Sequence, residues 1–430
     1  MRIKVFTDKK TRAKCKIFQM LKTHAGKKHL SFHTPGHKSG AWDITELSFS
    51  DNLASPHGCI AEAERDIAEL LGAKKSFILT DGSTSGVLSI LYVAKLSGVK
   101  KVAVCVHSHK SVFNGCAALG LTPVVFTARE ANFCPAKTEP KDFLNALENA
   151  DALFLTSPDY YGNIPDLKAI RALCDREKKL LLVDGAHGGH LHFDKTLYAG
   201  AYADLWVDGV HKSLPALTQG AVVSARTEET AEALLSAVGI FRTTSPSYPV
   251  MASVEYAVKY PRNHALETAV KEYADATERV FIKEDYTKLC AIFGKHAAEA
   301  EKALEADGIF AEFCDGNTIM FYLSPATDLK AFSLLKKRLD AALKKYPYES
   351  VKRIPAPLVL FREGETERIE TEKAIGRICA ENCGIFPPCT PLIFVGEEVT
   401  AEKIALLKKA NNVFGVYENK IRVFKEEKRE

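Results

Sequence analysis

The chain has 430 residues, 46% of them hydrophobic and 26% charged, so it can hold two domains of ordinary globular composition. Its 58 basic and 54 acidic residues leave a net charge of +4 without a long basic stripe, which argues against a nucleic-acid-binding protein. No stretch approaches the ~20 apolar residues of a membrane span, and the N-terminus lacks the apolar segment of a signal peptide.

The first 40 residues are predicted to form an arm, with a helix over Arg12–Thr23 followed by a loop. From residue 76 onwards, short apolar runs alternate with helical patterns, which is typical of strands that helices bury on both faces. Residues 41–290 are therefore predicted to form an α/β domain with a mostly parallel seven-stranded sheet. The predicted strands are Ser76–Thr80, Lys101–Val106, Pro123–Phe126, Ala152–Leu155, Leu180–Val183, Leu205–Val207 and Gly220–Val223.

The pattern changes after Pro249, and residues 251 to 306 are typical of long helices. Residues 291–430 are predicted to form a smaller α+β C-terminal domain. Its predicted elements are a strand at Thr318–Leu323, a helix at Leu329–Lys344, a strand near Leu358–Phe361 and a helix around Thr371–Asn382.

The eleven cysteines show no paired CxxC spacing. Cys379, Cys383 and Cys389 lie close in sequence, but no fourth ligand at a suitable spacing accompanies them, so we expect no zinc site. Free thiols in a reducing cytoplasm are the simpler interpretation.

A hydroxyl-rich loop follows the first predicted strand and precedes a helical segment. Gly82 permits a tight turn there, and Ser83, Thr84 and Ser85 stand at the start of the helix. A helix N-terminus with hydroxyls can bind a phosphate group. Plain N-capping by Ser83 or Thr84 explains the same residues.

A carboxylate stands at the end of a later strand. Asp184 could pair with a pyridinium nitrogen and keep it protonated, and Ala186 is small enough for a flat ring to lie against it. A structural aspartate that caps the next turn is the alternative. His187 and His190 suggest a metal, but the segment offers no third ligand, so we expect none.

Two further strand ends carry a lysine and a histidine. Lys212, preceded by His211, could act as an imine-forming nucleophile, and a surface lysine is the alternative. His109 could stack on an aromatic cofactor, and a solvent-exposed loop histidine is the alternative. Because all four groups follow successive strands, at the edge where ligands bind such sheets, together they indicate pyridoxal 5′-phosphate (PLP).

The chain resembles the Orn/Lys/Arg decarboxylases, PLP enzymes of the aspartate-aminotransferase fold (fold type I), from Phe32 to about Thr400. The resemblance rests most specifically on two segments, Phe32–Lys38 (FHTPGHK) and Thr243–Tyr248 (TTSPSY). Supporting segments are Asp51–Leu53, Ile60–Glu64, Asp208–Lys212, Phe386–Pro388, Pro391–Leu392 and Gly396–Glu398.

The resemblance implies a role for each matching residue. Lys212 would form the Schiff base with PLP, Asp184 would pair with the pyridine nitrogen, and His109 would stack on the ring. Ser83, Thr84 and Ser85 would hold the phosphate. The remaining cofactor-binding residues would be Ala186, His187, His211, Thr244 and Ser245, the last two reaching the site from a partner subunit of a homodimer.

Three departures from the family pattern concern the details of the site. Gly209 stands where some relatives carry a phosphate-binding serine, so that contact is expected to be lost. Cys389 and Thr390 replace a usual Gly–Ile pair, and Ala356–Thr366 matches the family pattern poorly.

We therefore expect a cytoplasmic PLP-dependent decarboxylase that converts lysine, arginine or ornithine into CO₂ and cadaverine, agmatine or putrescine. It would bind neither nucleic acid nor membrane. Another fold-type-I reaction, an aminotransferase or lyase, is the alternative, for which Arg362 and Arg377 are candidate carboxylate-binding residues. A non-catalytic regulatory homologue is a further alternative, against which the complete Asp184 and Lys212 pair argues.

Overall fold

The computed structural model describes residues 5–27, 30–38, 42–127, 130–131, 134–350, 364–385, 391–410 and 412–425. The helices in these ranges are α1 Lys9–Ala13, α2 Lys16–Ala25, α3 Cys59–Leu71, α4 Ser83–Leu96, α5 Lys110–Leu119, α6 Pro140–Glu148, α7 Leu167–Arg176, α8 Val210–Ser213, α9 Glu228–Phe241, α10 Tyr248–Val258, α11 His264–Ala276, α12 Ala297–Ala306, α13 Leu329–Lys345 and α14 Ala401–Lys409. Short 3₁₀ helices lie at Gly189–Phe193 and Ala199–Ala201.

The strands are β1 Lys75–Leu79, β2 Lys101–Cys105, β3 Thr122–Phe126, β4 Glu130–Ala131, β5 Cys134–Pro135, β6 Ala152–Thr156, β7 Leu180–Gly185, β8 Leu205–Asp208, β9 Ala221–Ala225, β10 Val280–Phe281, β11 Lys288–Ile292, β12 Phe313–Cys314, β13 Thr318–Tyr322, β14 Thr366–Glu370, β15 Cys383–Ile385, β16 Pro391–Ile393, β17 Val413–Phe414 and β18 Lys420–Phe424.

The main sheet has seven strands in the order β1-β9-β8-β7-β6-β2-β3. The pairs β7–β8, β2–β6 and β2–β3 are parallel, whereas β9 runs antiparallel to both of its neighbours. The parallel register of β7 and β8 places Asp184 opposite Val207 and Gly185 opposite Asp208. The predicted α/β fold with a mostly parallel seven-stranded sheet is confirmed.

The chain divides into two compact units, the first formed by residues 1–98 and 155–350 and the second by residues 99–154 and 351–430. The predicted domain boundaries near residues 40 and 290 stay a prediction. In the first unit a second sheet, of order β10-β11-β13-β12, packs its apolar residues with those of α11, α12 and α13. In the second unit, the sheets β14-β18 and β16-β15-β17 surround a separate apolar core.

The N-terminal helical region is tied into the first unit by a buried carboxylate. Glu255 of α10 accepts hydrogen bonds from the backbone N–H groups of Lys16 (2.6 Å) and Ile17 (2.9 Å), the first two residues of α2. These N–H groups have no partner within their own helix, so the carboxylate satisfies donors that would otherwise be orphaned. The predicted helix over Arg12–Thr23 is thus two helices, α1 and α2, with α2 beginning at this cap.

Two predictions of secondary structure were wrong. Long helices over 251–306 are interrupted by β10 and β11, which pair with each other. Residues 371–382 form turns instead of a helix, because Gly376 has a positive φ of 83° and Ile378 and Cys379 bridge to Glu398 and Val423. The predicted strand near Leu358–Phe361 lies outside the described residues. Within the described ranges, no helix has the length and apolar character needed to cross a membrane.

Candidate active site

The loop after β1 forms an open helix N-terminus. Gly82, with φ of 86°, is the N-cap of α4, and no side chain caps the helix, so capping by Ser83 or Thr84 does not explain this loop. The Ser83 hydroxyl is buried without a hydrogen-bond partner among the described residues, and Thr84 is exposed. Ser85 lies within hydrogen-bonding distance (3.0 Å) of both Asp81 Oδ1 and the Gly82 carbonyl. Unpaired donors at a helix N-terminus suit a phosphate.

Close packing fixes the position of this loop against the sheet. A Cβ atom added to Gly86 would lie 2.5 Å from Val207 Cγ2 and 2.9 Å from Leu79 Cδ1, so only glycine lets α4 approach β1 and β8 this closely. A Cβ atom added to Gly209 would lie 2.9 Å from Ser83 Oγ and nearer still to the Ala186 carbonyl oxygen. The structure therefore brings Ser83, Ala186 and the start of α8 together.

Asp184 lies near the end of β7, where it is 3% exposed. Its Oδ1 accepts a hydrogen bond of 3.0 Å from the Ala186 N–H. Burial raises the pKa of the Asp184 carboxyl, and the positive charge of Lys212 acts in the opposite direction. A buried carboxylate of this kind is stabilised in its ionised form by a nearby cation.

Lys212 lies on the single-turn helix α8, directly after β8. Its Nζ atom is 3.2 Å from Nε2 of His187, in the loop that follows Asp184. His211 is held by the Gly220 carbonyl, 2.8 Å from its Nδ1 atom, and burial lowers the pKa of its imidazole. The structure thus brings Lys212, His187 and Asp184 into one cluster and uses His211 to anchor the helix to the β9 segment.

Two tyrosines surround the imidazole of His187. The Tyr160 ring meets it edge to face at a centroid distance of 4.9 Å, and Tyr322 Oη is 3.4 Å from its Nδ1 atom. The first contact has the geometry that aromatic pairs prefer, whereas the second is longer than a good hydrogen bond. Both tyrosines therefore restrict the orientation of the ring that contacts Lys212.

A fully buried triad of Asp285, His190 and Lys288 lies beside Tyr322. Asp285 accepts from His190 Nε2 through Oδ1 (2.8 Å) and from Lys288 Nζ through Oδ2 (2.9 Å). Burial alone would raise the pKa of Asp285, but His190 and Lys288 together hold it below its usual range. Lys288 Nζ also lies 3.8 Å from the centre of the Tyr322 ring. His190, considered above for a metal, is instead a partner of Asp285.

The remaining predicted site residues are His109, Thr244 and Ser245. His109 is the N-cap of α5, and its Nδ1 atom accepts from the Ser111 N–H (3.2 Å), so its stacking role stays a prediction. Thr244 and Ser245 are exposed and line an open groove that also includes Thr34 and Glu46. Their contribution to a partner's site stays a prediction as well.

A model of the Orn/Lys/Arg decarboxylase major domain matches residues 41–292, which is more than half of the chain. The chain belongs to the Orn/Lys/Arg decarboxylase family. It is therefore a PLP-dependent enzyme of the class that decarboxylates basic amino acids, as the sequence predicted.

Several proteins resemble this decarboxylase over most of its length. Uncharacterized protein YaaO of Bacillus subtilis is 26% identical over 91% of this chain and 93% of its own length. An arginine decarboxylase of the same organism is 27% identical over 91% and 93%. The structure of Escherichia coli constitutive lysine decarboxylase superposes with a TM-score of 0.73 at 18% identity, covering 96% of this chain and 82% of its own. That structural likeness supports the fold alone.

The residues of the decarboxylase fit PLP. The cofactor carries a phosphate, a ring nitrogen and an aldehyde, and the cluster offers one group suited to each. The buried Ser83 hydroxyl has no partner among the described residues and lies at the open N-terminus of α4. Asp184 is a buried carboxylate, and Lys212 is an amine close to it in space.

Sequence reasoning missed five residues around this cluster: Tyr160, Asp285, Lys288, Glu312 and Tyr322. Four of them, Asp285, Lys288, Glu312 and Tyr322, lie on or beside the second sheet of the first unit, far along the chain from the recognised motifs. The local signal at Asp285 and Lys288 was their spacing of three residues, directly before the apolar residues Leu289–Ile292.

Proposed function

We propose that this decarboxylase removes CO₂ from the α-carbon of arginine in preference to lysine and ornithine, with Lys212 as the residue that binds the cofactor. The observation that carries the assignment is the hydrogen-bonding distance of 3.2 Å between Lys212 Nζ and His187 Nε2, next to the buried Asp184. Arginine is chosen because the arginine decarboxylase of Bacillus subtilis aligns with nearly the whole chain.

Each residue of the cluster has one task in this proposal. Asp184 would hold the ring nitrogen in its protonated form, and Ala186 would leave space for the flat ring. Ser83 and the first turn of α4 would bind the phosphate, with Thr84 and Ser85 in the same turn. When bound, PLP supplies a protonated ring that accepts electrons from the α-carbon.

The reaction replaces a carboxylate by a proton, so the chain must deliver a proton to the α-carbon. Lys212 Nζ and His187 Nε2 can share one proton across 3.2 Å. The two tyrosines beside His187 keep its ring in place, and His187 itself is buried. Lys212 is therefore the proposed proton donor, and His187 is the group that returns a proton to it.

The direct test measures CO₂ release and product formation with arginine, lysine and ornithine. Lys212→Ala is expected to lose the visible absorbance of the lysine-bound cofactor and all turnover, because no other amine occupies that position. Lys195→Ala removes an exposed lysine from the same unit and should leave both unchanged. A yellow, active Lys212→Ala protein would refute the assignment, and a keto acid in place of CO₂ would favour an aminotransferase.

We further propose a homodimer in which Thr244 and Ser245 complete the site of the second copy. Their exposure in one chain supports this, since a polar groove beside a recognised motif is available to another subunit. Sedimentation velocity tests the stoichiometry. Mixing inactive Lys212→Ala protein with a Ser245→Trp protein, if that variant is itself inactive, should restore part of the activity only when two copies build one site.

We also propose a cytoplasmic location. Cys379 and Cys383 lie with their Sγ atoms 4.0 Å apart, about twice the length of a disulfide bond, as thiols do in a reducing compartment. Fractionation of cells that produce the protein, followed by immunoblotting, tests this location.

A further inference from the structure

We propose that the carboxylate of Glu312 binds the distal cation of the basic amino-acid substrate. This inference rests on the proposed function, because it names the group that binds the substrate's distal cation, at the end of the side chain remote from Lys212. Three consecutive contacts within the first unit lead from one to the other.

The path begins at the lysine. Lys212 Nζ lies 3.2 Å from His187 Nε2, and the His187 imidazole packs edge to face on the Tyr160 ring at 4.9 Å. The hydroxyl of Tyr160 then donates a hydrogen bond of 2.8 Å to Glu312 Oε1. A single tyrosine thus spans the distance between the group that touches Lys212 and the carboxylate. A basic amino acid likewise separates its reacting α-carbon from its cation by one extended side chain.

The charge of Glu312 also acts on Tyr322. Burial raises the pKa of Tyr322 first of all, and the charges of Asp285 and Glu312 add to that rise. Tyr322 in turn lies beside His187. The negative charge of Glu312 is therefore felt at the residues that surround the site, although its own side chain is exposed.

Glu312 is also available for a ligand. Across the described ranges, no lysine, arginine or histidine lies within ion-pair distance of its carboxylate. The Tyr160 hydroxyl fixes one oxygen of the carboxylate. A carboxylate in this arrangement can accept charge-assisted hydrogen bonds from a guanidinium or ammonium group.

A second tyrosine–carboxylate pair nearby provides a contrast. Tyr161 donates to Asp315 Oδ2 at 2.6 Å, and Phe313 packs against both tyrosine rings. The other Asp315 oxygen, however, accepts from the backbone N–H groups of Asn317 (2.9 Å) and Thr318 (2.7 Å). The Asp315 carboxylate therefore stabilises the turn before β13. The Glu312 carboxylate accepts no hydrogen bond from a backbone N–H among the described residues.

The test compares Glu312→Gln with Asp315→Asn in the cofactor-loaded protein. Steady-state kinetics with arginine should give a KM roughly 10- to 100-fold higher for Glu312→Gln, the range expected for loss of a charge-assisted hydrogen bond, with kcat close to wild type. Citrulline, the neutral analogue of arginine, should bind both proteins equally poorly. Asp315→Asn should lower the unfolding midpoint and leave the KM for arginine within about threefold. The absorbance of the bound cofactor should not change in either variant.

Calorimetric titration with agmatine gives a second readout that does not require turnover. The inference stands if agmatine binds the wild-type protein and binds Glu312→Gln at least tenfold more weakly. It falls if the two proteins bind agmatine equally, if wild type binds none, or if Glu312→Gln keeps the wild-type preference for arginine over citrulline. A wild-type protein that binds agmatine but releases no CO₂ from any basic amino acid would overturn the proposed function and leave this result interpretable.

Discussion

Substitution of Gly209 by alanine tests the close packing at the centre of the proposed cofactor site. The added Cβ would lie 2.9 Å from Ser83 Oγ, 3.1 Å from the Ala186 carbonyl carbon and nearer still to its oxygen. Backbone atoms cannot rotate away, so α8 or the loop after β7 must move. Overpacking of this kind costs about 1–3 kcal/mol. We expect a loss of that size in the free energy of unfolding of the cofactor-free protein, and weaker PLP binding.

The assay is denaturant unfolding followed by tryptophan fluorescence, to which Trp206, fully buried on β8, contributes together with Trp42. Gly239→Ala is the matched control, since that glycine lies within α9 with open space around it and alanine should be neutral or stabilise by up to about 1 kcal/mol. Gly209→Ser should behave like Gly209→Ala. A serine variant that unfolds at the wild-type midpoint and binds PLP more tightly would refute the reasoning, and would instead support the interpretation that glycine merely loses a phosphate contact.

Three further predictions follow from buried polar groups. Ser83→Ala should weaken PLP binding roughly 10- to 100-fold without destabilising the cofactor-free protein, because the Ser83 hydroxyl has no protein partner among the described residues. A lower unfolding midpoint for the cofactor-free Ser83→Ala protein would contradict this. Asp285→Asn should lower the free energy of unfolding by about 3–5 kcal/mol, since it leaves Lys288 buried without its counter-charge, whereas Lys271→Met at an exposed pair should cost at most about 1 kcal/mol. Burial lowers the pKa of His192 from 6.5 to about 4. As pH falls from 6.5 towards 4, His192 therefore binds a proton in the unfolded chain but stays neutral in the folded protein. The free energy of unfolding decreases across that window. His192→Gln should reduce the loss of unfolding free energy between pH 7 and pH 5 by about 1–2 kcal/mol, measured by denaturant unfolding at both pH values. An unchanged loss would exclude His192 as its source.

The large sheet could be predicted because its strands are marked locally. Each is a short apolar run that ends in turn residues, so β2 and β8 begin at the predicted residue and β1 and β9 differ from the prediction by one residue at their start. The orientation of β9 was not marked in this way. An antiparallel edge pair and a parallel pair have the same apolar pattern when both faces are buried.

The surroundings of His187 could not be predicted for a different reason. Tyr160 and Tyr322 are 162 residues apart, and both contact His187. Tyr322 reaches it from β13 of the second sheet, for which the sequence gives no pairing signal. Lys288 was assigned to a helical region, although it begins β11. The segment 371–382 was misassigned because its apolar spacing matches a helix, while Gly376 adopts a left-handed conformation that ends one.

The loop that begins α4 is also linked to the segment Thr243–Tyr248. Asp81 Oδ2 accepts a hydrogen bond of 3.0 Å from the Thr243 N–H, and at the other end Tyr248 bonds to the Asp51 backbone. One carboxylate side chain thus joins the proposed phosphate loop to the stretch proposed to reach a second subunit. If PLP binding orders the loop, this hydrogen bond also orders the Thr243–Tyr248 segment. PLP binding should therefore favour association of two copies, and association should favour PLP binding by the same free energy.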